Sequence, residues 1–314
     1  MKRQEISQNL HILQSEKWET FQKTLKKQTI TSENKRYSFL AIVEDTPIGK
    51  YLFVPYGPHL VNEKALAPAL TELKIIAKEY DAIFIRIEPT IFISKKHLRS
   101  LGARKSKDID PAETWIFEIP ETKEQLLSKL PKRLRGYYNT HSKKGIEIIQ
   151  SHNPDDIKHL VKLQNKIFSK KNIQPFKEDY LRQELAQDFS TLYLAKYDNK
   201  IIAAVLVFDH DGTRYYMQAA SDKDYAKLNA NGIITIQSIL DAHEKKFLFY
   251  DFWGIAPSDA APNHPWAGFT AYKKMFQGEE KRYSGTYDIP IKRFRFYLYK
   301  ALRKIKQSKR RSKE

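Results

Sequence analysis

Phe247-Leu-Phe-Tyr-Asp-Phe-Trp-Gly254 is short, aromatic and halted by a glycine, the pattern of a buried strand that stops abruptly. A loop holding Pro257, Pro262, Asn263 and Pro265 follows, and Phe269, Tyr272, Met275 and Phe276 then fall at helical spacing. Strand, polar loop and short helix in that order place the loop beyond the carboxyl end of a buried strand, where open α/β sheets bind ligands. Tyr272-Lys273-Lys274 lies in the helix and marks a place for chemistry. A solvated loop before a surface amphipathic helix accounts for the same residues.

Working outward, the segments before this stretch have a counterpart in the first half of the chain. Tyr37–Val43 and Lys50–Pro55 read as a hairpin with a turn at Glu44–Gly49, and Leu66, Leu70, Leu73, Ala77 and Tyr80 keep the helical period. Ala82-Ile-Phe-Ile-Arg86-Ile-Glu88 reads as a buried strand with two charges near its end, followed by a short helix over Ser94–Leu101. In the second half the hairpin is Thr191–Tyr197 with Ile201–Phe208. Tyr215–Gln218 is a further strand, and Ile236, Ile239, Leu240 and His243 form one stripe of a helix over Gly232–Lys246. Hairpin, long helix, buried strand, polar loop and short helix thus occur twice, which predicts two copies of one α+β unit. Between them lie a capped helix over Thr122–Pro131 and a basic segment, Lys132–Lys144, that stops at Gly145.

The chain of 314 residues has 55 Lys and Arg against 37 Asp and Glu, a formal net charge of +18. A balance that basic implies polyanionic partners: nucleic acid, nucleotide phosphates or an anionic membrane face. The charge is concentrated around Lys132, Arg133 and Arg135, and again after Lys292, where Glu314 is the one acid. The segment from Phe294 to Lys306 has the pattern of a basic amphipathic helix that packs on a lobe or lies on a membrane. Packing is expected, because aromatics make up much of its apolar face, with residues 306–314 a mobile basic tail. With no cysteine, a disulfide scaffold, a thiolate zinc site and a Cys nucleophile are excluded. The first residues lack a signal-peptide pattern and the longest apolar run, Ile201–Phe208, is too short to span a bilayer, so a cytoplasmic protein is expected.

Hairpin, helix and strand in this order are compatible with the GNAT acyltransferase fold. A GNAT protein that binds acetyl-CoA carries a glycine-rich turn before the long helix, cradling the pyrophosphate on backbone N–H groups. Lys227-Leu-Asn-Ala-Asn-Gly232 stands there with a single glycine, which argues against acetyl-CoA.

Several segments together resemble the Fem family of aminoacyl-tRNA-dependent peptidoglycan transferases. They are Leu13-Gln-Ser-x-x-Trp18-x-x-Phe21-Gln22, Ile85-Arg86-Ile-Glu88-Pro89, and Lys132-Arg-Leu-Arg135 with Gly145 ten residues on. They continue in order with Tyr215-Tyr-Met-Gln-Ala-Ala-Ser221, Tyr250-Asp-Phe-Trp-Gly254-Ile255 and Tyr272-Lys273-x-x-Phe276-x-Gly278. The resemblance implies two GNAT-like lobes with the C-terminal segment returning to the first. Residues 1–150 with 286–314 would form one lobe and 151–285 the other. No heptad run is present, so the compact, arm-less type is expected, as a monomer and without a cofactor.

The resemblance also implies the reaction: an amino acid passes from its tRNA ester to the side-chain amine of a peptidoglycan precursor's stem peptide. The precursor is UDP-MurNAc-pentapeptide or its lipid-linked form. By position, Lys273 after Tyr272 takes the family's Phe-Lys place at the reaction centre. Glu88, with Arg86 beside it, takes that of a precursor-site Asp, and Tyr180 that of a precursor-site Tyr. Phe176 replaces a family Arg, with Lys177 next to it as a substitute phosphate partner. Gln218 and Ile83 each replace a Tyr, and Gln22 replaces a phosphate-binding Lys, with Lys23 adjacent. Lys132, Arg133 and Arg135, and Lys304, Lys306 and Arg310 in the tail, are the expected tRNA contacts, and peripheral contact with an anionic membrane is the other use of that tail. The ester is already activated, so no covalent nucleophile is needed. A base is harder to assign: Glu88 and Asp251 each end a buried strand, and the 3′ adenosine itself can relay the proton. An acyl-CoA-dependent GNAT enzyme and a non-catalytic RNA-binding protein are the alternatives.

Overall fold

The computed structural model describes residues 10–168 and 176–311, with backbone alone for Phe168 and 306–311. The chain divides into two units, 1–112 with 282–314, and 113–281.

In the first unit, helix α1 (Glu16–Thr24) leads into strands β1 (Thr29–Glu33), β2 (Tyr37–Thr46), β3 (Gly49–Val54) and β4 (His59–Leu60). Helix α2 (Leu66–Glu79), β5 (Phe84–Ile87), α3 (Lys95–Ser100) and β6 (Arg104–Lys105) follow. The second unit runs β7 (Glu113–Glu118), α4 (Lys123–Lys129), α5 (Lys132–Thr140), β8 (Ile146–Ser151), α6 (Ile157–Phe168) and α7 (Glu178–Leu185). It continues with β9 (Ser190–Tyr197), β10 (Lys200–His210), β11 (Thr213–Ser221), α8 (Ala230–Glu244), β12 (Phe249–Gly254), α9 (Ala267–Lys274) and β13 (Glu279–Arg282). Then β14 (Tyr287–Pro290) and α10 (Arg293–Arg311) return to the first unit.

Both units carry the repeated plan. In the first, antiparallel β2 and β3 precede α2, and β5 then pairs parallel to β3 from Leu52↔Ile85 to Val54↔Ile87. In the second, antiparallel β10 and β11 precede α8, and β12 pairs parallel to β11 from Thr213↔Phe249 to Tyr215↔Asp251. The equivalent of the first hairpin is therefore β10–β11, one strand later than the pattern in the sequence suggested. Each core forms where alternating strand residues meet the apolar stripe of the long helix. Phe39, Ala41, Val43, Leu52 and Ile85 meet Leu66, Leu70 and Leu73 in one. Val205, Val207, Tyr216, Tyr250 and Phe252 meet Ile233, Ile236 and Ile239 in the other.

The lobe boundary expected at residue 150 lies instead between Ala112 and Glu113. Strand β7 pairs antiparallel with β12, and Leu126 of α4, Leu134 of α5 and Leu130 between them are buried in the second core. A strand inserted beside a distant partner leaves no composition shift to mark it. The first sheet is completed by the returning β14, which pairs antiparallel with both β5 and β6. Helix α10 covers that sheet's other face through Phe296, whose ring meets Phe84 at 5.4 Å, with Tyr299 at 5.1 Å from the same ring. Its backbone runs to Arg311, beyond the expected end at Lys306, while the side chains of residues 306–311 and all of 312–314 lie outside the described residues.

Candidate active site

The cavity belongs to the second unit. It measures about 540 Å³ and is lined by the later part of β11 from Tyr216 to Ser221, the start of α8 with Asn231 and Gly232, and Phe269, Tyr272 and Lys273 of α9. Two strand irregularities lie in or beside its wall. Pairing of β10 with β11 slips between Leu206 and Val207 and skips Met217. On the other side the β12–β7 register slips between Asp251 and Gly254. There Trp253 takes a left-handed φ of 61°, uncommon for a bulky residue. Bulges of this kind re-aim groups next to sites.

The group re-aimed here is the Gly254 carbonyl, which accepts a 2.6 Å hydrogen bond from Lys273 Nζ. The ammonium also stands 5.9 Å from the centre of the Tyr216 ring. Burial lowers the Lys273 pKa to about 8, with the Asp251 charge opposing part of that shift. Asp251 is itself buried and pushed up by burial, while hydrogen bonds from Thr114 Oγ1 and the Trp253 backbone N–H favour its carboxylate. Those bonds commit Asp251 to holding the strand end.

Tyr272 does not present its hydroxyl to the cavity's open side but donates it to Thr235 Oγ1 at 2.8 Å. Thr235 in turn donates to the Asn231 carbonyl, and Asn231 Nδ2 donates to the Tyr216 hydroxyl at 3.1 Å. Burial raises the Tyr272 hydroxyl well above its ordinary value and that of Tyr216 to about 12, so both remain neutral donors. The chain Tyr272–Thr235–Asn231–Tyr216 fixes α9 against α8 and sets Lys273 over the Tyr216 face. Gly278, after α9, is required by closeness: a Cβ there would overlap the Ile116 carbonyl of β7.

Of the residues singled out in the sequence, Gln218, Tyr272 and Lys273 come together. Gln218 accepts a 2.7 Å bond from Gln164 Nε2. Phe176 also lines the cavity, exposed, and stacks on Tyr180 at 5.7 Å. Tyr180 bonds Glu184, a carboxyl that burial lifts to about 8. Lys177 is exposed at the start of α7.

Glu88, Arg86 and Lys23 belong to the first unit. Glu88 is buried, and its Oε1 accepts from the Asp110 N–H at 3.2 Å and Thr286 Oγ1 at 2.5 Å, while Oε2 has no hydrogen bond among the described residues. Burial raises the Glu88 pKa, and burial together with the Glu88 charge raises that of Asp110 well above the usual range. Arg86 is not a substrate ligand: it is fully buried, pairs with Asp288 through two bonds of 2.7 and 3.1 Å, and lies against the Phe84 and Tyr51 rings. Lys23 is exposed on α1 and pairs with Glu19 at 2.8 Å.

Among the expected tRNA contacts, Lys132 and Arg133 are exposed on α5, and Arg133 lies 6.0 Å over the Tyr137 ring. Arg135 turns back to donate to the Leu127 carbonyl, a structural role at the end of α4. Lys304 is exposed on α10, whereas the side chains of Lys306 and Arg310 lie outside the described residues. Residues missed by sequence reasoning are Tyr216, Asn231, Thr235 and Gln164. Tyr216 stood inside a quoted motif, and a second tyrosine beside Tyr215 on a strand was the available signal.

The single glycine of Lys227–Gly232, expected in a turn before the long helix, lies in the first turn of α8 and serves packing: a Cβ on Gly232 would stand 2.8 Å from Leu134 Cδ2 of α5. That glycine lets two helices approach.

Two GNAT-like lobes, the second holding a lysine-bearing cavity, define the class: the fold is that of tandem GNAT proteins. A tandem GNAT protein from the clavulanic acid biosynthesis pathway aligns over 82% of this chain and 79% of its own at 10% identity and TM-score 0.51. L-PGS from Bacillus licheniformis aligns over 87% and 91% at 14% identity and TM-score 0.56. The crystal structure of FemX aligns over 95% of this chain and 98% of that one, with 17% identity and TM-score 0.77. Residues 169–304 match the FemAB family model. The chain is thus similar to Fem-family proteins, in sequence over that stretch and in fold over nearly its whole length. No curated protein sequence matches it.

Proposed function

We propose that this protein is an aminoacyltransferase that moves an amino acid from aminoacyl-tRNA to the stem-peptide side-chain amine of a peptidoglycan precursor. The family match supports the general reading, a peptidoglycan aminoacyltransferase. The observation that carries the finer one is the placement of Lys273: a desolvated ammonium held on the Gly254 carbonyl beside a cavity of about 540 Å³.

The amine of the precursor attacks the ester carbonyl, forming a C–N bond and a tetrahedral oxyanion. The carbon–oxygen bond to the ribose then breaks, the amine's proton is lost and the ribose oxygen gains one. Lys273, charged below about pH 8, supplies a fixed cation for the oxyanion. Such a donor in a water-poor site is worth about 3–4 kcal/mol. Asp251 has both of its bonds inside the strand end, so the free hydroxyl beside the ester on the tRNA's 3′-terminal adenosine is the better proton relay. Lys132 and Arg133 supply exposed cations for tRNA phosphates.

Incubation with charged tRNA and either precursor form, read by mass spectrometry, tests the reading. Mass gain of one amino acid that requires tRNA supports it. Turnover of an acyl-CoA thioester without tRNA would replace it with the GNAT-type alternative.

A further inference from the structure

Helix α10 has two apolar faces, and the fold uses one. Phe296, 1% exposed, and the half-buried Tyr299 pack on Phe84. Phe294, Leu298 and Leu302 stand on another side with 82%, 41% and 43% of their surface exposed. At 3.6 residues per turn these three fall within an arc of about 80°, with the exposed Tyr297 and Ala301 extending it on one side. Packing of the helix on the lobe, expected from its aromatics, holds for Phe296 and Tyr299 but not for Phe294, the first aromatic.

The charges flanking the arc are of one sign. Arg293 and Lys304 lie beyond one edge and Arg295 beyond the other, and from Lys292 to Lys304 there is no acid. Among the described residues two acids meet this helix, and the first, Asp81, is paired with Lys292 and Arg295 at the helix start. Lys300 leans toward Asp288 at 3.4 Å. Arg293 and Lys304 project from exposed positions.

We propose that this face of α10 docks on an anionic lipid surface, with Phe294, Leu298 and Leu302 entering the headgroup–acyl boundary and Arg293 and Lys304 meeting the lipid phosphates. An apolar stripe edged by cations whose long stems reach upward is the pattern of an interfacial helix. The chemistry favours lipid over the competing occupants. RNA phosphates would use the cations but leave two leucines in water. A second copy would press arginine and lysine against arginine and lysine. Docking stands whether or not the chain transfers an aminoacyl group, because it uses no residue of the cavity.

The chain has no cysteine, so Leu298→Cys gives a single labelling site for an environment-sensitive fluorophore. Vesicles of phosphatidylcholine with 30–40% phosphatidylglycerol (roughly the anionic share that gives a polybasic surface a strong field) are added to the labelled full chain. Blue-shifted, brighter emission is expected, with little change for pure phosphatidylcholine. Co-sedimentation of unlabelled protein with the anionic vesicles should fall at least tenfold in the triple variant Phe294→Ser, Leu298→Ser, Leu302→Ser. These side chains are exposed, and an unchanged melting temperature verifies the fold. Unchanged vesicle binding in the triple variant, or no emission shift at saturating anionic vesicle, overturns the proposal. Loss of tRNA binding in the triple variant with vesicle binding intact would assign the face to RNA.

Discussion

Lys273 Nζ and the Gly254 carbonyl oxygen are 2.6 Å apart, joining α9 to the end of β12 just past a register slip. A straight, fully paired β12 would spend that carbonyl on its neighbour; the slip makes it available, and the ammonium is held in place before substrate arrives. Preorganisation of this kind is what gives a fixed cation its catalytic value.

Replacing the ammonium should therefore cost turnover rather than fold. Lys273→Met is expected to lower kcat by roughly a hundredfold or more while retaining precursor binding. Lys274→Met is the control. Lys274 is exposed and engages Glu280 at 3.2 Å and the Trp115 ring, so steady-state assays should show a mild effect. Near-normal turnover in folded Lys273→Met removes this lysine from the mechanism.

The pH profile carries a second signature. Deprotonation of the attacking amine favours reaction as pH rises, whereas loss of the Lys273 charge through about pH 8 opposes it. A bell with its descending limb near pH 8 is expected. Lys273→Arg, whose charge persists, should be slower but lack that limb. Stability runs the other way. The folded lysine gives up its proton near pH 8 and the unfolded one near 10.5, so between those values the unfolded state binds more protons and stability rises with pH.

Glu184 gives the opposite slope. Its carboxyl is raised by burial to about 8 from 4.5, so across that window the folded state binds more protons and stability falls as pH rises. Glu184→Gln removes the titration. Melting curves from pH 5 to 9 should decline less steeply for the variant, crossing the wild type so that the variant is the more stable at pH 8. Parallel curves would show that Glu184 titrates alike folded and unfolded.

Phe176 tests the precursor side of the cavity. It is exposed and lines the cavity, so a longer side chain meets no packed wall. Phe176→Arg should lower the apparent KM for a diphosphate-bearing precursor several-fold by adding a charge-assisted contact. An unchanged KM would mean that phosphate is not recognised there.

Arg86 was read in the sequence as part of a substrate site, and its true role yields a stability prediction. Asp288→Asn leaves the buried guanidinium short of a charge partner and should destabilise the protein by about 3–5 kcal/mol in denaturant titration. An effect below about 1 kcal/mol would show that the Tyr51 and Phe84 ring faces beside the guanidinium absorb the change.

Legibility in the sequence followed the distance of the partner. Hairpins, long helices and buried strands announce themselves within some twenty residues, and the repeated order followed from Tyr37–Pro55 and Thr191–Phe208 with the long helix and buried strand after each. Strands β7 and β14 were not announced, because short segments such as Tyr287–Pro290 take their identity from a neighbour far along the chain. Arg86 illustrates the same limit: a charge near a strand end looks functional until its partner, 202 residues away, is known. In the cavity, Lys273 was legible because an aromatic-lysine pair after a strand and loop is a local signal. Asn231 and Thr235 were not, since their role is to carry hydrogen bonds between helices that only the fold brings together.

The returning β14 also has a consequence for how the protein is made. As the ribosome works from Met1 onward, the first unit's sheet lacks the strand that joins β5 to β6, and Arg86 lacks its counter-charge, until Asp288 has left the exit tunnel. The second unit, 113–281, is continuous and is finished earlier. The N-terminal lobe is thus expected to mature last, reversing the usual N-first order of synthesis. Nascent chains arrested with residue 281 emerged should show a protease-resistant 113–281 core beside a sensitive N-terminal segment, and resistance of the first 112 residues should appear only once 282–305 are exposed. Any condition that slows translation late in the message would then prolong the life of an open sheet edge, making chaperone demand a property of where one four-residue strand was encoded.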